Sequence, residues 1–505
     1  MMGQLKHFVL TGNFLAGMIY PVAAQIQEKP NILLIVTDDQ TFESIGCLNN
    51  KEVHTPNLDR LVERGTVFTH AFNQGSWSAA VSVASRCMLI TGQSVFNCSF
   101  NDTYLDTWAR TKHKHPTEVP LIGEVLGQNG YETIEFGKWH NSDYSLLKCF
   151  GQAKAIGKGM YESTDESGNR KMAYQRFDKS TWNPTDKKYH GHWTPAVRDM
   201  ITNERGKRKI GKPYIAQQHT SELFADVAID YLMNYDAEKR KPFFAYVAFN
   251  APHDPRQSPK KFLDLYPVDS IRIPDNFLPE HPFDQGDKYI RDEQLAPFPR
   301  TEQAVRTHRQ EYYAIISHCD QEIGRILEAL KVSGNDKNTY IIFTSDHGLS
   351  LGMHGLMGKQ NLYEQTVRVP FIICGPDIKA GEKNNELIYM QSIYATLCEL
   401  ARVEIPATVD FPSLMPIIKK QAKGEKYIFG AYKDVQRMVR SDKYKLIVYP
   451  KAKQIQLFDI VNDPHEKVNL YTVSEYAKVK RELFAAMKEL QQKYHDPVVL
   501  DLPIK

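Results

Sequence analysis

Apolar residues along the chain follow two alternating periods. Asn31–Thr37 (NILLIVT), YETIEF from Tyr131, FFAYVAF from Phe243 and YIIFTS from Tyr340 are short runs dense in β-branched and aromatic residues, and they predict strands. Between them the apolar positions take helical spacing. Leu58, Leu61 and Val62 precede a capping Gly65, and Ile122, Val125 and Leu126 follow Pro120 and stop at Gly130. Leu223, Phe224, Val227, Tyr231 and Leu232 form a third helical set. Ile315, Cys319, Ile323, Ile326 and Leu330 form a longer one that ends near Gly334. Strand–helix alternation of this kind predicts an α/β fold around a mainly parallel sheet sandwiched by helices.

Two segments interrupt the pattern. Residues 141–218 are polar and irregular, and residues 252–301 are rich in proline; both read as long surface loops of the kind that build binding sites. After Gly424 the chain changes to short strands (YIFGAY, YKLIVYP, IQLFDI) and a last helix with Val479, Leu483, Met487 and Leu490. The expected organisation is an α/β unit over residues 25–424 and a smaller α+β unit over 425–505.

Residues 1–24 read as a secretory signal. Lys6 and His7 precede an apolar stretch that ends in Val22-Ala23-Ala24, where small residues suit cleavage. The stretch is short for a bilayer span and is interrupted by Asn13 and Pro21, so no membrane anchor is expected and the protein is placed outside the cytoplasm, in the periplasm. Of 505 residues, 42% are hydrophobic and 24% charged, and the formal net charge is only +3. That balance fits a globular protein with a sizeable core and gives no basic surface for nucleic acid. Seven cysteines show no CxxC spacing, which argues against a zinc knuckle or a dense disulfide scaffold.

The four strand-like runs share a feature: each ends in ionisable residues. They lead into Asp38-Asp39, Lys138-Trp139-His140, His253-Asp254 and Asp346-His347. Ligands of open α/β sheets bind at the carboxyl ends of strands. Carboxylates gathered there repel one another unless a cation neutralises them, which points to a divalent metal.

Ser82 to Gly92 reads SVASRCMLITG. This stretch resembles the signature of the formylglycine-dependent sulfatases: Cys or Ser, any residue, Pro or Ala, Ser, Arg, four residues, Thr, Gly. Ser82, Ala84, Ser85, Arg86, Thr91 and Gly92 match it. The resemblance extends through KPNILLIVTDDQ, HTPNLDRLVERGTVF, GKWH, APHDP, SDHG, GKQNLYEQTVRVPFI and LFDIVNDPHEKVNL, so it covers most of the chain. It implies an alkaline-phosphatase-like α/β fold and a nucleophile made by oxidising Ser82 to formylglycine (3-oxoalanine), carried out by a sulfatase-maturing enzyme of the serine type.

The same resemblance implies roles. Asp38, Asp39, Asp346 and His347, together with modified Ser82, would ligate one divalent ion, with calcium expected. His347 stands where many relatives have asparagine, and the alternative is that it hydrogen-bonds the nucleophile. Arg86 would hold the nucleophile, Lys138 the metal-side oxygens and Lys359 the sulfate. His253 would be the acid to the leaving oxygen and His140 the base that regenerates the aldehyde. The expected substrate is a sulfated saccharide, met by polar groups such as His190, His192, Trp193, Asp254 and Arg256 and by Gln436 and Arg437. Choline sulfate, an aryl sulfate, a phosphodiester or phosphonate monoester, and a non-catalytic glycan-binding role are the rival readings.

Overall fold

A computed structural model describes residues 28–48, 50–99, 119–158, 163–164, 170–171, 182–188, 191–235 and 241–500. The expected signal at 1–24 and His190 lie outside the described residues.

An eleven-stranded sheet organises the molecule. Across it run Tyr214–Ile215, Ala196–Arg198, Gln152–Gly157, Glu132–Lys138, Phe243–Ala248, Asn31–Thr37, Thr339–Ser345, Phe371–Cys374, Thr66–Phe72 and Arg368–Val369, with Glu382–Tyr389 also pairing to Thr66–Phe72. The five strands from Gln152–Gly157 to Thr339–Ser345 are mutually parallel. Antiparallel strands flank this centre on both sides.

Sequence alternation explains the layers. In Asn31–Thr37, Ile32, Leu34 and Val36 enter one core, and Leu33 and Ile35 enter another. Helices Val81–Thr91, Ile122–Gln128 and Ile393–Ala401 cover the first face. Helices Pro56–Arg64, Thr220–Met233 and Glu302–Val332 cover the second. A strand buried on both faces needs apolar residues at every position, which is why NILLIVT reads as one unbroken run.

Two differences from the sequence reading stand out. The polar 141–218 region is not only loop: Gln152–Gly157, Ala196–Arg198 and Tyr214–Ile215 extend the main sheet. Gln152 and Lys154 are exposed while Ala153 and Ala155 are buried, so this strand shows small alternating residues rather than a dense apolar run. The long helix begins at Glu302, where the Thr301 hydroxyl accepts the Ala304 N–H at 3.1 Å. Its first turns bury Ala304, Val305, Thr307 and His308, which carry little hydrophobic signal.

A second sheet runs Gln454–Asp459, Tyr444–Tyr449, Gln436–Arg440, Ile428–Tyr432 and Gly75–Ser76. Its last strand comes from the segment that leads into the Val81–Thr91 helix and pairs in parallel with Ile428–Tyr432. Helix Ala477–Lys493 buries Leu483, Phe484 and Met487 in the same core as Met88 and Leu89. All seven cysteines are free thiols, buried except Cys47. Among the described residues, no helix is long and apolar enough to cross a membrane.

Gly137 ends the strand that delivers Lys138. Its φ is +100°, and a Cβ there would lie 2.3 Å from the Ala248 carbonyl oxygen and 2.8 Å from the Phe224 ring. Backbone, not a movable side chain, blocks the closest approach. Gly137→Ala should therefore cost about 1–3 kcal/mol through strain alone. Denaturant unfolding checks this, and a stability equal to the parent protein would contradict it.

Candidate active site

Four strands whose ends are rich in ionisable groups lie side by side in the sheet: Glu132–Lys138, Phe243–Ala248, Asn31–Thr37 and Thr339–Ser345. Being parallel, they place Lys138, His253, Asp38, Asp39, Asp346 and His347 along one edge. The Asp38 N–H donates to the Ala251 carbonyl at 3.0 Å and the Asp346 N–H to the Thr37 carbonyl at 3.2 Å. Asp39 turns the chain away from the sheet with φ +68°. Its N–H donates to Asp346 Oδ1 at 3.1 Å, and the Tyr312 hydroxyl donates to its carbonyl at 2.7 Å.

The fifth contributor is helix Val81–Thr91, buried at every position and ended by Gly92 at φ +66°. Ser82 sits in its first turn, at the positive end of the helix dipole. Its Oγ donates to Asp38 Oδ1 at 3.0 Å and lies 3.0 Å from His347 Nε2. Ser85 Oγ and Asn73 Nδ2 each donate to the Asp346 carbonyl at 2.7 Å, which locks the helix to the strand end. Arg86 donates to the Lys138 carbonyl at 3.3 Å and to the Tyr246 hydroxyl at 3.2 Å, and its Nε lies 3.4 Å from Asp346 Oδ2.

Three buried carboxylates thus meet three buried cations. Lys138 pairs with Asp38, Lys359 lies 2.8 Å from Asp39, and Arg86 faces Asp346. The chain's own basic side chains therefore share in screening Asp38, Asp39 and Asp346, and the cluster the sequence predicted is one that could hold a metal. The case for a metal rests also on His347. Its Nδ1 lies 3.0 Å from the Gly348 carbonyl, so a neutral ring, the state burial favours, carries its proton there and leaves a lone pair on Nε2. That lone pair faces Asp39 Oδ1 at 3.3 Å and Asp346 Oδ1 at 3.6 Å, acceptor against acceptor. A cation satisfies such a set. One ligand atom from each of Asp38, Asp39, Asp346 and His347 lies within 4.8 Å of the others.

Burial shapes the titration of every group. Burial raises Asp39 above the ordinary carboxylate value, against Lys359 and His347. For Asp346 burial is outweighed by His347, Arg86, Lys138 and Lys359, which hold it well below that value. Burial draws Lys138 down to about 7. Burial also pushes His347 below the imidazole range. It pushes His140 and His253 well below, with Lys138 adding to the effect at His140 and Lys359 at His253.

All ten candidate residues are buried at or beside this edge. Most of the residues expected to meet a sugar are not available to one. His192 is fully buried, with its ring bonded to Thr220 and to the His253 carbonyl. Trp193 is buried and donates to the Pro184 carbonyl. Arg256 lies over the Tyr312 ring and donates to His308 Nδ1 at 3.0 Å. Arg437 forms a buried pair with Asp496, away from the site. Gln436 reaches only the back of the Lys359 loop, donating to the Gln360 carbonyl at 3.2 Å. Asp254 is tied to Arg291. Tyr246, Tyr312, Asn73, Arg291, Asp292 and Gln360 support the site and went unread. Only Tyr246, the single hydroxyl in FFAYVAF, carried a local signal.

A parallel sheet edge with a serine at a helix start, an arginine one turn on and a carboxylate–imidazole rim defines a hydrolase of the alkaline-phosphatase-like fold. The sulfatase family model matches residues 30–403, and the chain belongs to that family. It is a sulfuric ester hydrolase. A second model, N-sulphoglucosamine sulphohydrolase, C-terminal, matches residues 352–493. A sulfatase of Formosa agariphila is 28% identical, over 92% of this chain and 88% of its own. The N-acetylglucosamine-6-O-sulfatase of Bacteroides thetaiotaomicron is 24% identical, over 93% and 87%. A solved enzyme bound to its substrate D-glucosamine-2-N,6-O-disulfate superposes with a TM-score of 0.71 at 22% identity, covering 93% of this chain and 99% of that one.

Proposed function

We propose that the protein removes sulfate from a sulfated carbohydrate outside the cytoplasm, using formylglycine made from Ser82 and one divalent ion, calcium. The observation that carries the reading is the placement of Ser82 Oγ, 3.0 Å from both Asp38 Oδ1 and His347 Nε2 at the start of a buried helix. Maturation removes two hydrogens from the Ser82 Cβ–Oγ unit and is the task of a radical-type maturing enzyme. The hydrated aldehyde supplies the attacking hydroxyl. Asp38, Asp39, Asp346 and His347 would hold the ion, whose charge lowers the pKa of that hydroxyl and screens the sulfate.

The chain's own groups do the rest. Arg86 and Lys138 fix the oxygens on the nucleophile side. Lys359 moves part of its charge from Asp39 to the sulfate. A divalent ion held by these carboxylates would add positive charge that a sulfate monoanion answers. That anion also favours protonation of His253, which passes its proton to the leaving oxygen. His140 takes the proton from the second hydroxyl as sulfate departs.

The saccharide part draws on the named activity of the Bacteroides relative and on the polar character of residues 141–218 and 252–301. The test is a set of efficiencies on sulfated galactose, N-acetylgalactosamine and glucosamine derivatives against choline sulfate and nitrophenyl sulfate. The preparation should be one whose Ser82 peptide shows the loss of two hydrogens. A sugar sulfate is expected to lead; a lead for choline sulfate would overturn the substrate class.

His253→Ala should cost on the order of 10²–10⁴ in rate on a sugar sulfate, the usual worth of a general acid. It should cost far less on nitrophenyl sulfate, whose leaving group needs no proton. Equal losses would remove His253 from that role.

Chelation should abolish turnover and leave the protein folded, because Arg86, Lys138 and Lys359 still neutralise the carboxylates. Circular dichroism and activity, followed by return of calcium, check both halves. Unfolding on chelation, or full activity without metal, would refute the account.

A further inference from the structure

One segment joins the two halves of the site. Arg291 begins the short helical stretch Arg291–Leu295 inside the proline-rich 252–301 region. Its guanidinium grips Asp254 with both ends, Nη1 donating to Oδ1 at 2.8 Å and Nη2 to Oδ2. The same Nη1 donates to Asp292 Oδ1 at 2.7 Å. Asp292 Oδ2 accepts from Gln360 Nε2 at 2.9 Å, and Gln360 Oε1 accepts the Lys359 N–H at 3.1 Å. Glu293 accepts the N–H groups of Met357 and Gly358 at 2.9 and 2.8 Å. Residues 291–293 therefore bind the Lys359 loop on one side and the His253 loop on the other.

The contact with His253 is geometrically narrow. His253 Nδ1 lies 2.7 Å from the Asp254 carbonyl and 3.4 Å from Asp254 Oδ1. Two acceptors lie near one N–H; in the observed orientation it donates to the carbonyl, and Nε2 faces the site, 3.9 Å from Asp39 Oδ2. Arg291 occupies both oxygens of the competing carboxylate. Released from that fork, the carboxylate would turn to Nδ1 and rotate the ring. The fork needs a planar guanidinium, which lysine cannot supply.

We propose that Arg291 is a positioning residue for His253, acting through Asp254. The proposal rests on the functional reading above only in giving His253 a part in the reaction. Asp254 is 3% exposed and its loss of a partner would strand a buried charge, so the test pairs Arg291→Met with Asp254→Asn, which removes both charges together. Rates on a sugar sulfate and on nitrophenyl sulfate are measured for Arg291→Met, Arg291→Lys, the Asp254→Asn/Arg291→Met pair, His253→Ala and the His253→Ala/Arg291→Met double variant.

Arg291→Met is expected to lower kcat by roughly 10- to 100-fold on the sugar sulfate with little change in KM, as misplacement of a catalytic group by about 1 Å does. Arg291→Lys should show the same loss, and the charge-free pair, which lacks the competing carboxylate, should stay folded and recover most of the rate. In the His253→Ala background, Arg291→Met should change the rate by less than about twofold, since neighbours acting as one unit are not additive. Independent, multiplied losses would overturn the proposal, as would a loss seen mainly in KM or a wild-type rate in Arg291→Met. The double variant reads coupling whatever chemistry His253 performs. Failure of the acid assignment instead appears as equal losses of His253→Ala on both substrates.

Discussion

The site depends on three buried carboxylates being met by three buried basic side chains at one edge of a parallel sheet. A buried carboxylate or ammonium loses several kcal/mol of solvation, and breaking one pair strands its partner. Asp38, Asp39 and Asp346 can be buried together only because Lys138, Lys359 and Arg86 arrive from other segments. Each arrival has a structural cause. Lys138 follows a strand two places from Asp38 in the sheet, Arg86 lies one helical turn after Ser82, and Lys359 comes from a loop bound by Glu293 and Asp292. Removing any one of them would strand its buried partner, so stability and site assembly are linked.

The centre of the site was legible in the sequence for a simple reason. Strands buried on both faces are dense apolar runs, and the first polar residues after them mark the edge where such a sheet binds ligands. Asp38, Asp39, Lys138, His253, Asp346 and His347 all follow from that. Gln152–Gly157 was not legible, since its buried positions are alanines and isoleucine spaced by Gln152 and Lys154. Nor were the bonds of Tyr312 to Asp39 or of Asn73 to Asp346, because each spans 273 residues and leaves no local period. The tautomer of His347, which makes the case for a metal, depends on the Gly348 carbonyl and is a matter of geometry alone.

The polar segments were misread in a more instructive way. Polarity was taken as availability to a sugar, yet His192, Trp193 and Arg256 turn inward. A long segment without regular structure must still satisfy its backbone and build its own interior. The proline-rich region does so with Phe262, Tyr266, Ile271 and Ala296, packed on Tyr312, Tyr313, Leu349 and Met357. His192 then braces the His253 carbonyl, and Arg256 stacks on the tyrosine that pins Asp39. These side chains brace the candidate site from behind.

The second sheet fits the same logic. Arg437 faces Asp496 within its own unit, and Gln436 reaches the Gln360 carbonyl rather than open space. Lys445 joins Glu364, five residues beyond Lys359, at 3.1 Å and Glu466 at 2.9 Å, both carboxylates being buried. The strand Gly75–Ser76 ties that sheet to the chain entering the Ser82 helix. The smaller unit therefore touches two segments of the candidate site at once, the Ser82 helix and the Lys359 loop. Its contribution runs through the placement of those segments.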